Sequence, residues 1–443
     1  SLITTFAKIF EKTIKKRLVN YLEKYNIISE YQFGFKEAKS TEDALLRLTT
    51  QIHQAINNKK PALCIFVDLA KAFDTVSHVE LSRLLGEIGI RGKPLSLFES
   101  YLTKRLQCVK IGNSFSDFKE VDYGVPQGTV LGPLFFNIYI NDLFKLQTKG
   151  SVVGFADDTA LFYSGENWEV LKKVVEEDFT LVLNWFSSRV LTVNLDKTHF
   201  IPFTAYRSNL PDYTFLTVMN NNLPIQIRLV EFVKYLGIYI DPHLKWEKHL
   251  HYITKKIRSM LPTFKRLVSI LTLEQLKMLY YALVECHITY GLTIWGGAAS
   301  VHAHALEIIQ KHLIKIIFKK PYLYSSDSLF DETKFFDLNK LFCFKVLAKQ
   351  YKRRDELKPI DHDYSTRHRE TSFQVPKPRT AKFTKSYYYL GPKMYNLLPE
   401  DIKSCKSYTS FKKRLKIFLN ENTKQDISNL LNSMQYILKS YLK

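Results

Sequence analysis

Apolar side chains recur every three or four positions at Ile3, Phe6, Phe10, Ile14, Leu18 and Leu22, which predicts that the chain opens into an amphipathic helix over 3–22. A second helical pattern runs through Ala44, Leu45, Leu48, Ile52 and Ile56. The pattern then changes: PALCIFVDLAKAFDTV (61–76) begins as a nearly continuous apolar run, as expected of a strand buried on both faces, and the run stops at Asp68. Helical spacing resumes over 79–88 and, with Val170, Leu171, Val174, Val175, Leu183 and Trp185, over 168–186. Strand-like runs at 191–203 and 232–240 complete a mixed α+β expectation. From about residue 245 the pattern is mainly helical, with basic and aromatic residues interleaved. The stretch STRHRETSFQVPKPRTAKFTK (365–385) reads as a basic, irregular connector, followed by a short helix near 407–420. Neither an internal repeat nor a low-complexity tract interrupts this order.

Length and charge narrow the picture. With 443 residues, 46% of them hydrophobic, the chain is globular and long enough for two or three domains or subdomains. Sixty-four Lys and Arg against 43 Asp and Glu leave a net charge of +21, and nearly all of the excess lies beyond residue 250. Such a surface suits an anionic partner such as nucleic acid; a generally basic, solvated surface is the plainer alternative. Five scattered cysteines with no CxxC spacing predict neither a zinc site nor a disulfide frame, and so a reducing compartment. With no apolar stretch near the roughly 20 residues of a membrane span and no signal-peptide pattern, an intracellular protein without a membrane partner is expected.

Three stretches carry candidate chemistry. VVGFADDTALFY (152–163) sets Asp157 and Asp158 between two apolar runs. Alone it reads as a hairpin turn or as half of a metal site that needs a further carboxylate. Asp68, at the end of its buried strand, fits that need, although a helix cap or a salt bridge would also satisfy it. Nucleotidyl transfer uses two divalent cations about 4 Å apart, commonly held by carboxylates from separate strands. Between these elements, YGVPQGTVLGPLFFNIYINDL (123–143) is a glycine-punctuated loop running into an apolar helix, and it carries one neutral amide, Gln127.

In this order the three stretches resemble the reverse transcriptase family, specifically the polymerases of non-LTR, LINE-like retrotransposons of the jockey kind. FVDLAKAFDTV is similar to that family's first aspartate motif, GVPQGTVLGPLFFNIYINDL to its second motif and FADD to its catalytic hairpin. Flanking stretches agree: ISEYQFGFKEAKSTEDAL (28–45) resembles the fingers segment, LTVNLDKT (191–198) the fourth motif, VKYLGIYIDPHLKWEKHL (233–250) the primer grip, and LYYALVECHITYGLTIWGG (279–297) the thumb. YLGPKMYNLLPEDIKSCKSYTSFKKRLKIFL (389–419) resembles a C-terminal segment of these elements.

The resemblance implies a right-hand polymerase of fingers, palm and thumb with an antiparallel palm sheet and a mainly helical, basic C-terminal region. Its divisions would be partial fingers at 1–60, palm at 61–230, primer-grip hairpin at 231–250, thumb at 251–360 and basic extension at 361–443. It further implies an RNA-directed DNA polymerase adding dNTPs to a DNA primer on an RNA template, with two Mg²⁺ ions, or Mn²⁺ in their place, on Asp68, Asp157 and Asp158. Phe73 falls at the steric-gate position, Gln127 and Gly128 at the nucleotide-contacting tip, and Lys197 where it could neutralise departing pyrophosphate. Tyr235, Leu236 and Gly237 match the primer-supporting hairpin. On the residues alone, Phe73 is equally a core aromatic and Lys197 an exposed lysine. Asp74 complicates the gate, because RNA-copying viral polymerases carry a second acid at similar spacing. No obligate protein partner is expected, and the site of action would be cytoplasmic or nuclear, nuclear at insertion. The chain begins inside the fingers, so an N-terminally truncated copy is expected, short of upstream triphosphate-binding cations. The competing readings are a non-catalytic nucleic-acid-binding remnant and a maturase-like RNA-binding protein.

Overall fold

A computed structural model describes residues 4–205, 210–221, 223–356 and 373–422. Ile3 of the first predicted helix and much of the proposed 361–443 extension lie outside the described residues, as does the first part of the 365–385 connector. Two compact units are present. The first holds the described residues up to Leu48, then Lys60–Thr204 and on to Leu236; the second holds Thr49–Lys59 and the described residues from Gly237 onward.

In chain order the first unit begins with α1 (Thr5–Lys24), followed by α2 (Thr41–Asn57), whose second half belongs to the other unit. The run ALCIFV forms β1 (Ala62–Val67), and all six of its residues are buried, as a continuous apolar run requires. Helices α3 (His78–Glu87) and α4 (Lys93–Leu102) come next. They are followed by four two-residue strands, β2 (Leu106–Gln107), β3 (Lys110–Ile111), β4 (Ser114–Phe115) and β5 (Lys119–Glu120). Then come α5 (Gly132–Ile140), the hairpin β6 (Ser151–Phe155) and β7 (Asp158–Ser164), α6 (Trp168–Ser188), β8 (His199–Phe203), β9 (Phe215–Asn220), β10 (Leu223–Leu229) and β11 (Val233–Tyr235).

Six strands make one sheet in the order β6-β7-β1-β8-β10-β9. Strand β1 lies between β7 and β8 and pairs antiparallel with both, Ala62 facing Ser164 on one side and Phe203 on the other. The expected antiparallel sheet needs one correction: β10 joins β8 in parallel, through Arg228 opposite His199 and Leu229 opposite Phe200. Helices α5 and α6 supply Phe135, Phe136, Tyr139, Phe179 and Phe186 to a core that also contains Leu63, Ile65 and Leu161 of the sheet. Arg189, just past α6, pairs with Glu80 and Asp142, and its carbonyl accepts from the Tyr139 hydroxyl at 2.6 Å.

The strand expected over 191–203 forms only from His199. Residues 194–198 instead close a turn in which the Lys197 and Thr198 amides and the Thr198 hydroxyl all donate to the Asn194 carbonyl. Local side-chain bonding of this kind competes directly with a sheet ladder.

The described residues of the second unit have one strand, β12 (Ile238–Ile240), and are otherwise mainly helical: α7 (Glu247–Arg258), α8 (Leu261–Leu267), α9 (Leu273–Tyr280), α10 (Cys286–Thr289), α11 (Leu292–Trp295), α12 (Ser300–Ile317), α13 (Ser326–Thr333), α14 (Leu338–Lys352), α15 (Tyr387–Asn396), α16 (Glu400–Lys403) and α17 (Tyr408–Glu421). The predicted helix near 407–420 is α17, whose Phe411 stacks on Tyr351 of α14 at 4.2 Å between ring centres. The described part of the basic connector is held by Asn57, which accepts from the Arg379 and Thr380 amides and donates to the Lys377 carbonyl. Among the described residues, no helix is long and apolar enough to cross a membrane.

Candidate active site

Three carboxylates gather at one end of the central strands. Asp68 follows β1 directly; its amide donates to the Thr198 hydroxyl at 3.3 Å and its carbonyl accepts from the Asn194 amide at 2.8 Å. Asp157 occupies the β6–β7 turn and Asp158 opens β7, with Phe155 and Asp158 closing the ladder as partners. Asp157 and Asp158 both feel the nearby Asp68. Desolvation first, and then the neighbouring carboxylates, raise Asp157 above the usual range and push Asp158 up to about 6. Negative charges concentrated in this way favour a cation between them.

Lys197 is largely exposed and sets its ammonium 3.9 Å from an Asp68 carboxylate oxygen. Among the described residues no three or more His, Cys, Asp or Glu side chains make a ready metal site. Mg²⁺ rarely needs one, since it keeps waters and is typically completed by one or two carboxylates and substrate phosphates. An all-oxygen, anionic donor set from separate strands fits that ion.

Phe73 is half-buried in the loop after β1 and stacks on Phe136 of α5, with ring centres 4.4 Å apart, while Phe35 meets its edge at 6.2 Å. Gln127 and Gly128 are exposed in the loop before α5, and Gly128 takes φ 82°. The Gln127 amide donates to Asp74 at 2.8 Å, so the acid that complicated the gate is tied to the second motif. That loop is anchored from α1: Glu11, which is buried, accepts from the Val130 amide at 2.6 Å and the Leu131 amide at 3.3 Å, and from the Tyr101 hydroxyl at 3.1 Å. It thereby serves the start of α5, where Leu131 offers no side-chain cap of its own.

Tyr235, Leu236 and Gly237 occupy a tight turn in which Leu236 and Gly237 both have positive φ, and the boundary between the two units falls there. Tyr235 is buried against Phe66, with its hydroxyl toward the Val153 carbonyl, and Leu236 packs near Phe33 and Val153. The exposed member of the turn is Gly237. The structure thus gathers the three aspartates and Lys197 at one strand end, and it links Phe73 to the Gln127 loop through Phe136 and Asp74. Sequence reasoning missed Glu11 and Gln32, each of which binds backbone more than a hundred residues away.

Residues 1–240 match the family described as "Reverse transcriptase (RNA-dependent DNA polymerase)", more than half of the chain, and the chain belongs to that family. A probable RNA-directed DNA polymerase from transposon BS of Drosophila melanogaster is 29% identical over 337 residues, covering 73% of this chain and 36% of the relative. The RNA-directed DNA polymerase from the mobile element jockey of the same species is 26% identical over 340 residues, covering 73% and 35%. The chain therefore spans about a third of the length of the curated relatives it matches. A Candida albicans telomerase solved with a fragment of telomeric RNA is similar over 72% of this chain and 55% of its own, at 13% identity and a TM-score of 0.40.

Proposed function

We propose that this chain is the polymerase part of a non-LTR retrotransposon protein, an RNA-directed DNA polymerase that extends a DNA primer along an RNA template. The observation that carries the reading is the meeting of Asp68, Asp157 and Asp158 at the ends of β1, β6 and β7, close enough for the Asp68 charge to help raise both Asp157 and Asp158. In this reading residues 1–60 belong to the fingers, 61–230 to the palm, 231–250 to the primer grip and 251–360 to the thumb. The basic second half follows the template backbone. Insertion at a chromosomal target makes the nucleus its place of work.

Asp68, Asp157 and Asp158 would hold two Mg²⁺ ions. Bound there, the ions would lower the pKa of the primer 3′-hydroxyl and neutralise the departing pyrophosphate. The chain's own groups do the rest. Phe73, braced on Phe136, fills the space of a ribose 2′-hydroxyl. Gln127, steered by Asp74, presents its amide to the nucleotide. Lys197, whose ammonium stands 3.9 Å from Asp68, would supply a proton or a positive charge to the leaving group. The Leu236–Gly237 turn supports the primer end.

Primer extension on an RNA template with Mg²⁺ tests the reading. The parent chain incorporates dNTPs, while Asp157→Asn and Asp68→Asn lose incorporation and keep template-primer affinity within about twofold, because a ligand is lost and little packing changes. Equal extension by Asp157→Asn would refute the site. A parent that binds template-primer and incorporates nothing would favour the non-catalytic remnant.

A further inference from the structure

The turn that carries Asp157 has an unusual construction. Ala156, the residue before it, adopts φ 57°, a left-handed conformation that costs a residue with a Cβ about 1–2 kcal/mol and that tight hairpins usually assign to glycine. One fully buried side chain from far away in sequence grips this peptide on both sides. The Gln32 carboxamide oxygen accepts from the Ala156 amide at 3.0 Å, and its nitrogen donates to the Ala156 carbonyl at 3.3 Å. The same oxygen accepts from the Gly34 amide at 2.9 Å.

The backbone around Gln32 is seated just as closely. Phe33 donates to the Gly154 carbonyl, Gly154 donates to the Tyr31 carbonyl, and Gln32 forms a parallel bridge with Gly154 on the outer edge of β6. Gly34 lies so near the turn that a Cβ there would stand 2.3 Å from the Ala156 nitrogen. Asn137 of α5 fastens the Gly34 carbonyl at 2.8 Å. A strained turn is thus held by a neutral amide that is satisfied on both sides and adds no charge among the carboxylates.

We infer that Gln32 is a positioning residue of the nucleotidyl-transfer site: it fixes the Ala156 peptide and so aims the Asp157 carboxylate. This inference rests on the reading of Asp157 as a metal ligand. Residues that hold a ligand in place typically matter 10–100-fold in metal affinity or activity when removed.

The test uses the 443-residue chain with Gln32→Asn. The shorter amide still reaches its own Gly34 amide, a turn that Asn favours, and falls short of the Ala156 peptide. Expected are a melting temperature close to the parent's, a template-primer Kd within about twofold, and a drop of about tenfold or more in kcat. Mn²⁺ affinity, read by electron paramagnetic resonance with template-primer and a non-incorporable dNTP analogue present, falls on the same scale. That arm stands whether or not the chain turns over. Gln32→Met, an uncharged residue of similar length, reproduces these losses and serves as the variant if Gln32→Asn fails to fold. A folded variant with the parent's kcat and Mn²⁺ affinity overturns the inference, and so does an equal loss of template-primer affinity, which marks a purely structural role. Asp157→Asn is run alongside: retained activity there overturns the reading of the site itself, whereas its loss beside an unaffected Gln32→Asn overturns the inference alone.

Discussion

Replacing Glu11 by alanine should loosen the start of α5 and the Gln127 loop with it. Glu11 sits on the opening helix, is 4% exposed, and its carboxylate accepts from two main-chain amides and one hydroxyl. Truncation leaves the half-buried Val130 amide and the buried Leu131 amide without their acceptor, just where the N-cap residue Leu131 offers none. A hydrogen bond to a charged group contributes about 1.5–3 kcal/mol, so losing the short 2.6 Å bond and the weaker 3.3 Å bond costs about 3 kcal/mol. For a unit of this size that lowers its melting transition by roughly 6–12 °C. Glu11→Gln keeps one acceptor and should lose about half as much. The assay is a thermal melt of the full chain together with hydrogen exchange at Val130 and Leu131, which should speed up in Glu11→Ala. A melt within about 2 °C of the parent with both amides still protected would refute the capping argument. Because the loop presents Gln127, nucleotide KM should rise in Glu11→Ala while template-primer affinity holds.

Phe73→Val should reduce discrimination against ribonucleotides by about tenfold or more, since the ring that would exclude the 2′-hydroxyl is removed; an unchanged dNTP/rNTP ratio would make Phe73 a core residue only. The second unit should be sensitive to acid, because burial holds both His53 and His249 down at about 4. The unfolded chain takes up these protons first, near pH 6.5, so their stabilisation is complete above that value and drains away as the pH falls towards 4, by up to about 3 kcal/mol per histidine. His249→Phe, which keeps a ring against Trp295, should flatten the fall in denaturant midpoint between pH 7 and 4, and an unaltered slope would count against this assignment.

Much of the site was readable because its signals are short and local. The six apolar residues of β1 end on Asp68, and the acid pair of the FADD stretch interrupts two strands; both survive folding as the pattern suggests. Other features depend on single polar residues with distant partners. Gln32 and Glu11 bind main chain 124 and 119 residues away, and a side chain bonded to backbone leaves no periodicity behind it. The parallel β8–β10 pair escaped for a different reason: alternation along a strand is the same in either pairing direction, so only tertiary contacts choose. Lys197 moved from strand to turn because Asn194 and Thr198 satisfy one another locally.

The central place of β1 also sets a timetable for synthesis. Its partners β7 and β8 are encoded far downstream, Ala62 meeting Ser164 and then Phe203. At ordinary elongation rates of about 5–20 residues per second, the first partner leaves the ribosome roughly 5–20 s after β1, and the second several seconds later. Throughout that interval ALCIFV is an uncharged, β-prone hexapeptide with both edges open, the type of segment that recruits copies of itself. Translation speed, and whatever shields β1 until its neighbours arrive, then bear on how many chains reach the folded state.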